Sequence, residues 1–212
     1  MTARILGAVR MTAGGILVAC ALAGCSSILP GKSASPDIYK FPASTQPTLV
    51  ASASKVAALQ LVVDTPTAAR ALDTDRIAVR TDTYELAYLA GARWDDSAPR
   101  VVQARLIEAF ERAGAAGGVG RAEDGMRADI GFVSELRAFE VVTRTLAAPT
   151  VNVQIAAKLV GRPLGAVRDT RVFEAQVKAA SSRDRDVIAA FDQALITIGN
   201  DAAAWTIATL AR

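Results

Sequence analysis

The sequence predicts a single α/β domain whose mixed β-sheet contains long antiparallel strands, is flanked by helices and is followed by a long C-terminal helix. Three long segments alternate apolar and polar residues, the pattern of strands with one buried face. Two other segments repeat apolar residues with helical spacing. The 188 residues that follow a 24-residue leader (212 minus 24) suffice for one core of ordinary size and are too few for two.

Residues 1–24 have the composition of a bacterial signal peptide. Arg4 and Arg10 form a positive n-region, and residues 11–21 form an apolar region too short to span a bilayer as a mature helix. We therefore exclude this segment from the prediction of the fold.

A lipobox ends the leader, because Leu22, Ala23 and Gly24 stand directly before Cys25. Small residues at these positions fit an intramembrane signal peptidase, and the Cys25 thiol receives a diacylglyceryl group and becomes the acylated N-terminus. The alternative is a cleaved signal peptide with Cys25 as an ordinary thiol. We expect a lipoprotein held on a membrane by palmitate and similar chains, since several chains bind far more strongly than one.

Residues 25–37 are predicted to be the lipidated cysteine followed by a flexible tether, because the segment is rich in Ser, Pro and Gly. About a dozen extended residues reach roughly 40 Å, which would lift the domain clear of the lipid headgroups and into the periplasm. Ser26 stands where some lipoproteins carry the aspartate that retains them at the inner membrane. This favours the outer membrane over the inner one.

The residue content excludes several kinds of chemistry. The chain has no histidine, and Cys20 leaves with the leader, so Ser-His-Asp and Cys-His catalysis are excluded. A carboxylate pair or a Ser-Lys dyad stays open in principle. The few lysines of the mature chain, however, lie in linkers or on the polar side of strands: Lys32, Lys40, Lys55, Lys158 and Lys178. We expect no enzymatic activity, no cofactor and no metal site.

The charge pattern also argues against nucleic acid as a partner. Without Arg4 and Arg10, the mature chain has 22 basic and 21 acidic side chains, a net charge of +1. These charges are interspersed rather than clustered, so neither a phosphate-binding groove nor a polybasic membrane patch is indicated.

Four short strands are predicted before the first helix. They are Ile38–Phe41, Leu59–Val63, Arg76–Arg80 and a segment with Tyr84, Leu86 and Tyr88 on one face. Between the second and the third, Asp64 and Pro66 predict the start of a short helical turn that ends at Leu72.

A helix is predicted from about Ser97 to Ala113. Ser97 or Asp96 is the expected N-cap, and Pro99 lies in the first turn, where its missing N–H costs nothing. Its apolar stripe is Val102, Leu106, Ala109, Phe110 and Ala113. The opposite, solvated face is expected to carry Arg100, Arg105, Glu108, Glu111 and Arg112.

The glycines from Gly114 to Gly120 superficially resemble a phosphate-binding loop. Such a loop must follow a strand and lead into a helix, whereas this one follows a helix. We predict a helix C-cap at Gly114 and a mobile turn after it.

The three long strands contain residues 129–137, 151–159 and 173–179. Short connections near Pro149 and at residues 161–165 predict antiparallel hairpins between them. From Ser181, a capping-box pattern and helical spacing predict the terminal helix, which Asn200 and Asp201 either kink or continue. Trp94 and Trp205 are expected to be core anchors, with a partner-facing role as the alternative.

These elements, in this order, resemble the ABC-type transport auxiliary lipoprotein family, which includes the lipoprotein of the paraquat-inducible operon and accompanies MCE-domain lipid transporters. The resemblance covers residues 38–212 and is carried by Tyr39-Lys40-Phe41, Arg76–Arg80, Arg93-Trp94-x-Asp96-x-x-Pro99, the Phe173 strand and a C-terminal helix with Trp205. Two positions depart from the family, which often has Leu at Phe41 and Pro at Ser97.

The resemblance implies a mixed sheet flanked by helices and a non-enzymatic envelope component. Its partners would be an ABC permease, its ATPase and an MCE-domain protein, which together move lipids or other apolar molecules between the two membranes. We assign Arg93, Trp94, Asp96 and Pro99 as the candidate partner surface, and a homo-oligomer is also considered. The alternatives are a module that binds lipid within its own fold and an adaptor or activator of cell-wall machinery.

Overall fold

The computed structural model describes residues 35–43, 56–81, 84–143 and 148–212, and residues 36–212 form a compact unit. The strands are β1 (Asp37–Tyr39), β2 (Gln60–Val63), β3 (Thr67–Ala68), β4 (Arg76–Arg80), β5 (Leu86–Trp94), β6 (Gly118–Gly120), β7 (Ile130–Val142), β8 (Thr150–Gly161) and β9 (Ala166–Lys178). The helices are α1 (Ala98–Ala113) and α2 (Asp184–Leu210). The leader, Cys25 and all of the tether before Ser35 lie outside the described residues.

In the part of the chain that the structure describes, strand β7 is the centre of a nine-stranded mixed sheet. One edge of β7 pairs antiparallel with β8 from Ile130 to Val142, with one register shift at Arg137, and β8 pairs in turn with β9. The other edge is shared in succession by β2, β3 and β4, which all run parallel to it. Strand β6 adds to β2, β5 adds to β4, and β1 adds to β5. The predicted fold class is confirmed.

The core lies between the sheet and the two helices, which pack against each other. Along β8 every second residue is buried, because its apolar side chains all face the helices: Val151, Val153, Ile155, Ala157 and Leu159. Strand β2 is buried at Leu61, Val62 and Val63 in succession, since parallel strands flank it on both sides.

Two groups of aromatic rings fill this core. Trp94 lies 5.3 Å from Phe41, 5.3 Å from Phe139 and 5.0 Å from Phe191, measured between ring centroids. In the second group, Trp205 contacts both Phe132 and Phe173. Both tryptophans are therefore core anchors, as predicted.

The predicted helical turn over residues 64–72 is wrong. Thr67 and Ala68 form β3, which pairs with Glu135 and Leu136 of β7. Only the backbone around Ala69 turns, where its carbonyl accepts bonds from the N–H groups of Leu72 and Asp73. Hydrogen bonds offered by the edge of β7 outweigh the local preference for a turn.

The glycine-rich segment after α1 is also more ordered than the predicted mobile turn. Gly114 ends α1 in the left-handed conformation, with φ of 61°, which confirms the predicted C-cap. Residues 118–120, however, form β6 at the edge of β2. A Cβ at Gly117 would lie 1.9 Å from the carbonyl oxygen of Ala57, so this backbone approach requires glycine.

Helix α1 begins where predicted, but its capping and one face differ from expectation. Ser97 occupies the N-cap without a side-chain capping bond, and its own N–H donates to the Asp96 carboxylate at 2.7 Å. Arg105, expected on the solvated face, is only 8% exposed. Its surroundings are described with the candidate site.

Helix α2 runs without interruption through Asn200 and Asp201 for 27 residues. The predicted capping box at its start is wrong, because Arg183 is the N-cap and the Ser181 hydroxyl instead donates to the Asp186 carboxylate. In the described part of the chain, neither helix combines the length and the apolar character that crossing a membrane would need.

The C-terminal end of α2 is fastened to β9 by the Asp169 carboxylate. One of its oxygens accepts bonds from Trp205 Nε1 at 3.0 Å and Thr209 Oγ1 at 3.2 Å, while the other accepts from the Thr170 N–H at 2.8 Å. The Thr170 bond, followed by the Trp205 bond, lowers the pKa of Asp169 below its ordinary value.

The crossing of α1 and α2 depends on Gly199, where an added Cβ would lie 2.8 Å from Cβ of Ala109. We expect Gly199→Val to lower the free energy of unfolding by about 1–3 kcal/mol, because the two helices must separate to admit the side chain. Denaturant unfolding measures the change.

Ala204→Val is the matched control, since Ala204 is an exposed position of the same helix. It should cost only the small difference in helix propensity between the two residues. The smaller substitution Gly199→Ala should also clash with the methyl group of Ala109. Removing that methyl group in the double variant Ala109→Gly/Gly199→Ala should relieve the clash. Equal stability of Gly199→Val and Ala204→Val would contradict this account of the crossing.

Candidate partner surface and attachment of the N-terminal segment

The structure separates the four residues assigned to a partner surface. Arg93 and Asp96 are exposed, whereas Trp94 is only 2% exposed and Pro99 is buried in the first turn of α1. Trp94 belongs to the core and Pro99 is buried, so the four residues do not form one exposed surface. The lipobox and Cys25 lie outside the described residues.

The two exposed residues belong to a rim where the N-terminal segment joins the sheet. We define the N-terminal rim as the exposed side chains of Ile38, Lys40, Arg93, Asp95 and Asp96. Strands β1 and β5 bring them together, since Ile38 pairs with Arg93 and the Asp95 N–H donates to the Tyr39 carbonyl at 3.0 Å.

The rim combines charge of both signs with one exposed apolar side chain. Lys40 Nζ lies 4.0 Å from Asp95 Oδ2, and Arg93 Nη1 lies 3.2 Å from Asp75 Oδ2. Both ion pairs are largely exposed and so contribute little to stability. Ile38 is 73% exposed between them. The rim is therefore a surface of mixed charge with a single exposed apolar side chain.

Tyr39 lies beside the rim and is half-buried. Burial raises the pKa of its hydroxyl, and the negative charges of Asp184 and Asp37 raise it further. The side chain is therefore neutral across the physiological pH range, and it can donate a hydrogen bond at the edge of the rim.

Arg105 fastens the chain just after the rim to both helices. Its Nη1 donates to the Pro42 carbonyl at 3.0 Å and to Glu108 at 2.8 Å, and its Nη2 donates to Asp192 of α2 at 2.5 Å. The guanidinium also lies 5.6 Å from the ring of Phe41. One buried cation thus connects the N-terminal segment, α1 and α2.

Phe41 is the apolar part of this attachment. Its ring is 9% exposed and packs on Trp94, directly beyond the end of β1. Strand β1 has only three residues, so its backbone bonds alone would be a weak attachment. The buried ring and the Arg105 bond to Pro42 supply what the short strand lacks.

Sequence reasoning missed Arg105 because its helical position places it beside the charged residues of α1. The one local signal is Glu108, three residues later, which is the ordinary spacing of an exposed helical pair. The partner that explains its burial, Asp192, lies 87 residues away in sequence.

A concave feature lies near the start of β7, apart from the N-terminal rim. A cavity of about 370 Å³ is lined by Val62, Ala122, Met126, Ala128, Arg162 and Pro163. The Arg162 guanidinium at its edge donates to Asp64 at 2.7 Å, so its charge is already paired. Among the described residues, no three acidic or other ligating side chains converge in a way that could hold a metal ion.

The fold and much of the sequence match known proteins. The family model described as ABC-type transport auxiliary lipoprotein component matches residues 39–203. The chain is 29% identical over 161 residues to the uncharacterized protein bll6063 of Bradyrhizobium diazoefficiens, a match that covers 76% of this chain and 43% of the relative. It therefore spans less than half the length of that relative.

Two crystal structures share this architecture. Protein XCC0632 of Xanthomonas campestris, described as family DUF330, is 29% identical, with a TM-score of 0.67 over 82% of this chain and 93% of its own. A second structure, described as an uncharacterized protein, has a TM-score of 0.60 at 12% identity and covers 80% of this chain and 97% of its own. The second likeness shows the fold alone.

We expect Arg105→Met to lower the free energy of unfolding by about 3 kcal/mol, because the partly buried Asp192 carboxylate and the Pro42 carbonyl lose the cation that donates to them. Arg93→Met is the matched control, since it breaks an exposed pair and should cost less than about 1 kcal/mol. Denaturant unfolding of the full-length chain compares the two.

The same substitution should loosen the N-terminal segment. In Arg105→Met, amide hydrogen exchange should accelerate more at residues 39–43 than at the centre of β8. Equal losses of stability in the two variants, with unchanged exchange at residues 39–43, would contradict the role given to Arg105.

Proposed function

Because the chain belongs to the ABC-type transport auxiliary lipoprotein family, we propose that it is the lipid-anchored periplasmic component of an ABC transport system that includes an MCE-domain protein. In this role it supports the movement of lipids or other apolar molecules across the envelope. It acts by binding its partner proteins and carries out no chemical reaction.

The observation that carries the proposal is the extent of the family match. It begins at Tyr39 in β1 and ends at residue 203 in α2, so it includes Phe41, Arg105 with its three hydrogen-bond partners, and most of the N-terminal rim. The features that attach the N-terminal segment to the domain therefore lie within the family's common region.

The available side chains support a binding role over a catalytic one. The whole sequence lacks histidine, and the buried Arg105 is fully engaged by a carbonyl and two carboxylates. Among the described acidic residues, Asp169, Glu174 and Asp186 have lowered pKa values because each accepts hydrogen bonds, foremost from the Thr170 N–H, the Gln176 amide and the Ser181 hydroxyl respectively. Such carboxylates stay ionised at neutral pH, which does not suit them as general acids.

We place the partner contact at the N-terminal rim. It adjoins the segment that connects the domain to the proposed anchor, and it presents an exposed apolar residue within mixed charges. The aromatic groups fill the interior of the fold, which favours transport through the partner over transport of lipid inside this domain.

Affinity purification of the full-length chain from detergent-solubilised envelopes tests the assignment. We expect an MCE-domain protein, an ABC permease and its ATPase to be recovered, as identified by mass spectrometry. Recovery of the chain without any of the three would count against the proposed function.

Reversal of charge at the rim tests the surface separately. Arg93→Glu combined with Asp96→Lys should abolish recovery of the partners, because both side chains are exposed and neither contributes to the core. The control Arg137→Glu reverses a similarly exposed charge on β7 and should leave recovery unchanged. Full recovery with the rim variant would exclude the rim and leave the transporter assignment standing.

The anchor itself is tested by Cys25→Ala. We expect loss of the acyl mass and a shift of the full chain from the membrane to the soluble periplasmic fraction, because no thiol remains at the lipobox. Density-gradient separation of the wild-type envelopes should place the chain with the outer membrane. Complete retention of the variant on membranes would rule out Cys25 as the sole anchor.

A further inference from the structure

Within the described residues, strand β9 is an edge strand of the sheet. Twelve of its thirteen residues pair with β8 on one side, and no other described strand pairs with it. An open edge of this length presents unpaired backbone N–H and C=O groups to any extended chain, and proteins usually shorten, cover or charge such edges.

Two hydrogen bonds show which residues face outward. The Thr170 N–H is accepted by the neighbouring Asp169 side chain at 2.8 Å, so it points away from β8. The Ala179 N–H donates to the Pro149 carbonyl on the β8 side at 2.9 Å. Because backbone groups alternate along a strand, the odd-numbered residues bond to β8 and the even-numbered residues face outward.

The first part of β9 is blocked and the second part is open. Asp169 occupies the outward N–H of Thr170, and a register shift near Arg168 interrupts the regular edge. Beyond them, Val172, Glu174, Gln176 and Lys178 have exposed side chains and outward backbone groups. We call residues 172–178 the free edge.

The side chains of the free edge are complementary to themselves. In an antiparallel pair of two copies centred on Gln176, Glu174 of one copy lies directly opposite Lys178 of the other, and this contact occurs twice by symmetry. A pair centred on Glu174 would instead place two carboxylates opposite each other, which is unfavourable. The charges therefore favour the register centred on Gln176 over the register centred on Glu174.

We propose that the free edge binds a second copy of this chain, joining two sheets through antiparallel β9 strands centred on Gln176. Three backbone positions of each copy, Glu174, Gln176 and Lys178, then exchange hydrogen bonds with the other copy. The Glu174 carboxylate accepts hydrogen bonds from Gln176 Nε2 at 2.9 Å and from Gln154 Nε2 at 3.1 Å. These bonds stabilise its negative charge, which would lie opposite Lys178 of the second copy.

Charge reversal on the full-length chain in detergent tests the register, with sedimentation equilibrium as the measurement. The wild-type chain should dimerise. Glu174→Lys and Lys178→Glu should each weaken the dimer about tenfold, because two cross-strand ion pairs become two repulsions. The double variant Glu174→Lys/Lys178→Glu should restore wild-type dimerisation.

Two further variants separate pairing from folding. Gln176→Pro removes an outward N–H, which an edge strand tolerates, so it should yield a folded monomer with unchanged tryptophan fluorescence. Glu135→Lys changes an exposed charge on β7 and should leave the dimer intact.

A wild-type monomer at the highest soluble concentration would overturn the proposal. So would an assembly that tolerates both single reversals and Gln176→Pro, or a double variant as weak as either single one. The experiment depends on no transport partner, so its failure would leave the proposed function unaffected.

Discussion

The backbone hydrogen bonds of β7 are the constraint on which the rest of the fold depends. A strand of thirteen residues in the middle of a sheet must find partners along both edges, since unpaired buried peptide groups are costly. On one edge β8 supplies them in a single run. On the other edge the chain supplies them in three short pieces, at residues 130–132, 135–136 and 140–142. These three pieces determine the path of residues 60–80.

This division explains both what the sequence predicts and what it conceals. The alternation along β8 is visible in the sequence because one face of the strand is buried and the other is more exposed. The apolar stripe of α1 is visible for the same reason. Thr67 and Ala68 carry no comparable signal, because their extended form is imposed by β7 and not by their own preferences. The strand at Gly118–Gly120 is concealed similarly, since glycine adds nothing to an apolar–polar pattern. The close backbone contact that requires glycine is made by Gly117, just before the strand.

Charged residues were the least predictable part of the candidate site. Arg93 and Arg105 each directly follow an alanine in sequence, yet one is exposed and the other is buried among three acceptors. The difference arises from Asp192 and Pro42, which are distant in sequence and reach Arg105 only when both helices and the N-terminal segment have assembled. Similarly, Glu140 is buried in β7 and is paired by Arg80 of the adjacent parallel strand. Burial of a charge is a property of the assembled fold, so local pattern could not identify either residue.

The order of strands bears on how the two proposed contacts combine. From β1 the sheet continues through β5, β4, β7 and β8 to β9, so the N-terminal rim and the free edge lie at opposite sides of the sheet. A partner bound at the rim would therefore leave residues 172–178 accessible, and a second copy bound there would leave both rims accessible. Two domains joined in this way would also bring two acyl anchors to one assembly, and paired anchors hold a membrane more strongly than one. Dimerisation would strengthen attachment through the proposed anchors without occupying the proposed partner contact at the rim.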